Sequence, residues 1–365
     1  VKDIKIIESK VKTDKYTKYA SRVFDFDFDG VSKFICHKKP NIKNDFNIGL
    51  IVGSSGSGKS TLLKEFGKEC SPLWDYDKAI VSHYETPEEA VKLLSSVGLN
   101  SVPSWMKPYS VLSTGEKFRA DLSRKIKDNG VIDEFTSVVN RSVAKSASLA
   151  ISKMIRRENI KNVVFCSCHD DIIDWLDPDW TFNTDTGEYL PRGSLRQRPI
   201  IRIEIYGSSW KKWEMFKKHH YLSAEINNAC RCFVGVFDGE EVVFNGSISL
   251  PSKIPPLYEG DTRNKFRESR TVVLPDYQGI GIGTRFSDSI GEIFLDNGYR
   301  YFSKTAHIRM GEYRQKSDLW RATSTNLKSR EKSQKQSKKD LWHRMVLDTK
   351  RICYSHEYIG SRKYK

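Results

Sequence analysis

The sequence predicts an α/β domain followed by an α+β domain built on a mixed sheet, with a basic extension at the end. Two glycine-rich stretches carry that prediction, GSSGSGKS at 53–60 and QGIGIG at 278–283, together with a change of pattern between them. Apolar runs separated by helical stretches fill the first half, whereas strands alternating at period two open the second. A chain of 365 residues can bury two separate cores. Residues 1–190 are assigned to the first domain and 199–320 to the second. The Gly/Pro/polar stretch at 191–198 reads as a linker, and 321–365 as the basic extension.

In NIGLIVGSSGSGKSTLLKEF the order is strand, glycine loop, helix. The run from Phe46 to Val52 ends in GLIV, as a buried parallel strand does. Gly53, Gly56 and Gly58 let the backbone curl so that its N–H groups face phosphates. Lys59 reaches the β and γ phosphates of ATP, and the Ser60 hydroxyl is suited to Mg²⁺, with Thr61 also counted as nucleotide-binding.

Three later segments follow in order. VLSTGEKFRADLSRKI (111–126) puts a small Ser/Gly turn, Ser113 and Gly115, at the mouth of a helix, where backbone N–H groups attract an anion. GVIDEFTS ends a short strand at Asp133 and Glu134, and NVVFCSCHDD ends another at His169. Together with the phosphate loop these segments resemble ABC-type ATPases, with Leu112 to Glu116 in the places of the LSGGQ/E signature. The resemblance implies that Asp133 holds Mg²⁺ through water, Glu134 polarises the attacking water, and His169 senses the γ-phosphate. It also implies a signature that closes on the nucleotide of another subunit, hence an ATP-dependent homodimer. Two departures stand out. Residues 62–111 contain no Gln where the family has its lid glutamine, leaving Ser82 or His83 in AIVSHYE for that place, and SVVNR lacks the usual dimer-contact aspartate.

In the second half RPIIRIEIYG is a strand, and CRCFVGVFDGEEVVFNGSISL a hairpin about Asp238-Gly239. ESRTVVLPDY is a strand that runs into QGIGIG and the helix TRFSDSIGEIFLDNG, and YRYFSKTAH is another strand. An antiparallel meander delivering a glycine loop onto a helix resembles the GNAT acyltransferase fold. Gln278, Gly281 and Gly283 match its Q/R-x-x-G-x-G/A loop, which in that family grips the pyrophosphate of acetyl-CoA or another acyl-CoA, and Gly279 is counted with them as cofactor-binding. The spacing is not the G-x-G-x-x-G of a dinucleotide fold. The whole arrangement resembles an archaeal and phage fusion of the two modules. KKHHYLSAEINNACRCFVGVFDGEEVVFNGSIS is also similar to the opening of Mom-type phage enzymes, which modify the exocyclic amine of adenine in DNA. Acyl transfer to an amine needs a base and an acid. His219, His220 and Glu268 are the candidate bases, and Tyr221 and Tyr313 the candidate acids, Tyr221 doubling as a stacking platform.

The net charge of +15 is uneven: residues 191–365 hold 33 Lys+Arg against 19 Asp+Glu. A concentrated excess suits a polyanion, since each neutralised phosphate releases counterions, and points to nucleic acid, DNA first, as partner. The tail RATSTNLKSREKSQKQSKKD reads as a basic loop, followed by a packed end carrying Leu341, Trp342, Met345, Val346, Ile352 and Tyr354. Seven scattered cysteines fit a reducing cytoplasm. Cys166/Cys168 and Cys230/Cys232 read as strand residues rather than zinc ligands. No apolar run approaches a membrane span, and VKDIKIIESKVKTDK is too polar for a signal peptide. The expectation is an ATP-regulated acyltransferase acting on a nucleic-acid base. Acylation of tRNA or protein, and a non-catalytic ATP-dependent clamp, are the alternatives.

Overall fold

The computed structural model describes residues 4–42, 45–192, 199–220, 225–250, 264–329 and 352–361. Contacts divide the chain into two units, one of residues 1–100 and 104–200, the other of 101–103 and 201–365.

The first unit has an N-terminal ribbon of β1 (Ile4–Lys10) and β2 (Val31–His37), antiparallel, with helix α1 (Lys15–Val23) between them. The main sheet runs β4-β5-β3-β6-β7, with β3 (Ile48–Val52), β4 (Val131–Ile132), β5 (Val163–Ser167), β6 (Trp180–Asn183) and β7 (Glu188–Pro191). All pairs are parallel except β6 with β7. Every residue of β3 and β5 is buried, as expected of strands flanked on both sides. Each such Ile, Leu or Val contributes roughly 1.5–3 kcal/mol. Helices α2 (Lys59–Leu63), α3 (Pro87–Ser96), α4 (Val102–Trp105), α5 (Thr114–Lys125), α6 (Arg141–Arg157) and α7 (Ile173–Leu176) complete the unit. Their starts are set by side chains that accept orphan N–H groups: Thr86 for α3, Ser113 for α5 and Asn140 for α6. Pro191 and Arg192, read as linker, are tied to this unit instead. Pro191 pairs with Trp180, and Arg192 donates to the Asp179 carbonyl (2.8 Å) and the Asp177 carboxylate (2.6 Å). The rest of the linker lies outside the described residues.

The second unit holds β8 (Glu204–Ser208), β9 (Arg231–Phe237), β10 (Glu240–Leu250), β11 (Lys265–Val273), β12 (Arg300–Thr305), β13 (Trp320–Ala322), β14 (Lys328–Ser329) and β15 (Ile352–Tyr358). The order is β13-β15-β12-β11-β10-β9-β8, with β14 also on β15. Asp238 and Gly239 turn β9 into β10 with positive φ (49° and 82°), as expected of that dipeptide. Helices α8 (Trp213–Phe216), α9 (Ile282–Asp296) and α10 (Ile308–Lys316) accompany the sheet. The segment read as an extension supplies β15, which pairs with both β12 and β13. Residues 352–358 are thus part of the sheet. Leu341, Trp342, Met345 and Val346 lie outside the described residues.

Candidate functional site

The phosphate loop leaves the carboxyl end of β3, and Asp133 and Glu134 leave β4, and His169 follows β5, at the same edge of one parallel sheet. Cys166 ties them together: its Sγ lies 3.6 Å from the Lys59 carbonyl, while its own carbonyl accepts the Phe135 N–H at 2.7 Å. Gly58 precedes α2 in the left-handed region (φ 93°), and its Cα approaches Cys36 and Phe34 so closely that a Cβ would meet them at 3.1 and 3.3 Å. The Lys59 ammonium folds over the loop, donating to the carbonyls of Gly53 (2.9 Å) and Ser54 (2.6 Å). Ser60 is exposed and Thr61 half-buried. Gly56 has open space around it.

A clip not anticipated from sequence holds the loop's first turn. In the β6–β7 turn, Asp185 accepts the Ser54 N–H (2.8 Å) and hydroxyl (2.7 Å), and these bonds hold its carboxyl below the usual range. Thr184 Oγ1 is 2.6 Å from Ser57 Oγ and bonds the Val52 carbonyl, and it fills the space where a Cβ on Gly53 would sit. The turn in NTDTG was the available signal, because Asn183 Oδ1 accepts the Asp185 N–H at 2.8 Å.

Glu134 and Thr136 both have positive φ (47° and 71°), and Glu134 itself is exposed beside half-buried Asp133. Non-glycine residues in that region carry a conformational cost, which clusters at functional sites. A cleft of about 340 Å³ borders Asp133 and Glu134, with Lys117, Asp121, Lys125 and Tyr109 among its walls. His169 is half-buried, its N–H on Ser167 Oγ at 3.0 Å. Ser113 caps α5 in a capping box with Glu116, whose carboxylate accepts the Ser113 N–H (2.9 Å) and the Ser104 hydroxyl (2.5 Å). Among the described residues a Cβ on Gly115 would meet only Val143 at an ordinary 3.8 Å, so none of them demands glycine there. His83 does not stand free in the lid position. Its Nε2 accepts the Asp75 N–H (2.9 Å) and its Nδ1 is 3.0 Å from the Ala79 carbonyl. Ser82 is exposed.

In the second unit β11 and β12 run parallel but pair only from Lys265/Arg300 to Glu268/Ser303, although β11 continues to Val273. The glycine loop leaves that unpaired end. Gly281 (φ 97°), exposed and without a side chain to cap the amides, starts the fifteen-residue α9. Gly279 also has positive φ, while Gly283 faces β11, where a Cβ would meet Val273 at 3.1 Å. Gln278 is buried and gives its amide to the Val273 carbonyl (2.8 Å), which turns it inward.

Glu268 is no free base. A bulge opposite Gly246/Ser247 brings Thr271 onto its face of β11, and Thr271, Ser287 (2.9 Å) and Arg314 (2.7 Å) all donate to its carboxylate. Arg314 is 1% exposed and also bonds Ser287 and Ser303. Tyr313 donates its hydroxyl to Asp288, and burial with that bond pushes its pKa up to about 12. Trp320 donates to the other Asp288 oxygen (2.7 Å), and burial pushes the Asp288 carboxyl up. His220 is half-buried, its ring edge-on to Trp213 at 5.5 Å. His219 is also half-buried, and Tyr221 lies outside the described residues. Cys168 is exposed and lies past the end of β5 at Ser167, against its reading as a strand residue. Arg314, Asp288 and Ser287 had no sequence signal: EYRQK reads as an ordinary polar helix face.

No protein-family model matches the sequence, and no curated protein is detectably similar to it. Solved structures are similar to parts of it. A dimeric ATP-binding cassette in a post-hydrolysis state with ADP and Pi has TM-score 0.36 at 13% identity, covering 53% of this chain and 100% of its own. A transporter cassette in its ADP conformation has TM-score 0.30 at 14% identity, covering 46% of this chain and 85% of its own. Arabidopsis thaliana Naa50 with the bisubstrate analogue CoA-Ac-MVNAL has TM-score 0.29 at 12% identity, covering 42% of this chain and 97% of its own.

Proposed function

We propose that the chain is an ATP-dependent acyltransferase acting on nucleic acid, a DNA base first. The observation that carries this reading is that each glycine loop leaves the carboxyl end of a strand and opens a helix whose N-cap glycine, Gly58 or Gly281, makes no side-chain cap bond.

At the first loop, Lys59 exchanges the Gly53 and Ser54 carbonyls for phosphate oxygens. Ser60 and Asp133 offer the hard oxygen donors suited to Mg²⁺, which when bound supplies charge neutralisation on the phosphates. Glu134 orients water. Phe34, beside Gly58 and partly exposed, offers a ring face to the nucleobase. Gly115 adds no side chain beside the Ser113–Glu116 capping box at the mouth of α5, where a phosphate held by a second subunit would bind, which makes an ATP-dependent homodimer the working form.

At the second loop, the amides from Gly279 to Gly283 would hold the pyrophosphate of an acyl-CoA, and the gap between β11 and β12 its arm. The carrier supplies an activated thioester. The Arg314–Glu268 pair and the Tyr313–Asp288 bond keep the strand ends and α9 in place, and His219 and His220 are the remaining described candidates for taking the amine proton.

Calorimetric titration with ATP and with acetyl-CoA, together with nucleoside mass spectrometry of DNA from expressing cells, tests the reading. It expects two independent ligands and a modified nucleoside that disappears in Lys59→Ala. An unchanged nucleoside profile with acetyl-CoA bound sinks the DNA substrate and leaves tRNA or protein. The engagement of both Glu268 and Tyr313 favours the second reading, a nucleotide-dependent nucleic-acid clamp, should acetyl-CoA give no heat.

A further inference from the structure

The ribbon of β1 and β2 packs with one face only. Phe34 and Cys36 face Gly58 of the phosphate loop, whereas Ile6 and its cross-strand partner Ile35 point away and are exposed. Helix α1 has no buried residue at all. Tyr16, Tyr19 and Val23 recur at helical spacing as an exposed stripe, and Phe24 (78% exposed) and Phe26 (64%) continue it. Among the described residues, ten of the 23 exposed large hydrophobics fall between Ile4 and Ile35. The helix is specified locally by a capping box of Asp14 and Thr17, yet nine residues are too few to be stable in water without a partner for the apolar face. Concentrated apolar exposure of this kind marks an interaction surface.

We propose that this arm is a self-association surface that pairs two copies of the chain whether or not nucleotide is bound. The charges around the apolar stripe select the occupant. Lys15, Lys18 and Arg22 share one flank of α1, and Asp25, Asp27 and Asp29 follow in the next segment. A two-fold interface sets a patch against itself, so segregated cations and anions become complementary across the axis. A nucleic acid or an anionic membrane would match the cations of α1 and leave the three aspartates without a counter-charge, whereas a second copy, carrying both signs, matches both. This pairing is separate from the nucleotide-dependent dimer proposed above and stands without it.

Sedimentation velocity of the full chain at micromolar concentration, without nucleotide, tests the proposal. Wild type and Lys59→Ala are both expected to dimerise. Replacing Tyr16, Tyr19 and Phe24 by Ser weakens the dimer by about tenfold or more. The cation-reversed variant (Lys15→Glu, Lys18→Glu, Arg22→Glu) and the acid-reversed variant (Asp25→Lys, Asp27→Lys) are each monomeric, and an equimolar mixture dimerises again. All these side chains are exposed, and unchanged ATP binding by each variant reports that the fold is kept. A monomeric wild type, a mixture that stays monomeric, or an arm that binds anionic vesicles or oligonucleotides as a monomer overturns the proposal.

Discussion

The two glycine loops look alike as sequence and differ as the anion sites proposed for them. The first opens a five-residue helix, carries a lysine that reaches over it, and is clipped at its start by Asp185 and Thr184. The second opens a fifteen-residue helix, has no cation of its own among 278–283, and turns its one polar side chain, Gln278, inward. A loop with an ammonium suits several adjacent phosphate charges, whereas a glycine loop at a helix end without one suits fewer. The difference teaches that glycine spacing sets where the backbone can approach an anion, while neighbouring side chains set how much charge it holds.

The largest test of that contrast falls on the second loop's support. Arg314→Ala leaves Glu268 buried without its charge partner, which costs roughly 3–5 kcal/mol. The expected outcome is loss of hydrogen-exchange protection in β11 and α9 with ATP affinity unchanged. Undiminished protection there would mean that the loop does not depend on the Arg314 network.

Next in size, Lys59→Ala removes a charged donor to phosphate, worth roughly a hundredfold in ATP affinity, and leaves acetyl-CoA affinity alone. A comparable loss for both ligands would mean the two loops are not independent. Smaller again is Gly281→Ala. At φ 97° a Cβ costs about 1–2 kcal/mol, so the second unit melts earlier and binds acetyl-CoA more weakly, while titration with ATP is unaffected.

What could be read from sequence, and what could not, divides along the range of the interactions. Both strand–loop–helix units were legible because glycine spacing and hydrophobic period are local. So was the Asp238-Gly239 turn. The placement of β15 beside β12 was not, since a strand about fifty residues after its partner obeys no local pattern. The same holds for the Asp185 clip, whose partner Ser54 is 131 residues away, and for Glu268, whose nature as a half of a buried pair depends on Arg314 46 residues on. Residue type made Glu268, Gln278 and His83 candidates, and tertiary neighbours had already engaged all three.

The smallest effect separates the loops by pH. His307 begins α10, its Nδ1 accepting the Met310 N–H, and Met310 in turn lies 3.8 Å from where a Cβ on Gly283 would be. Burial, helped by Arg309 and Arg314, lowers its pKa from 6.5 to about 4. A base depressed by folding contributes stability that is complete above its unfolded value and lost as pH falls through the folded one. The support of the second loop therefore weakens between about pH 6.5 and 4. Asp185 is an acid held below 3.8, chiefly by the Ser54 bonds, so the first loop's clip persists through that window and fails only beneath it. Asp288, raised by burial, works in the opposite direction to His307, because its contribution is greatest in acid and declines as pH rises. Protection factors in α10 should fall from pH 7 to pH 4.5 while those of the β6–β7 turn hold, and His307→Asn, which keeps the cap without the titration, should flatten the first profile. Equal acid sensitivity at both loops would show that they are supported alike, and the contrast between them would then rest on Lys59 alone.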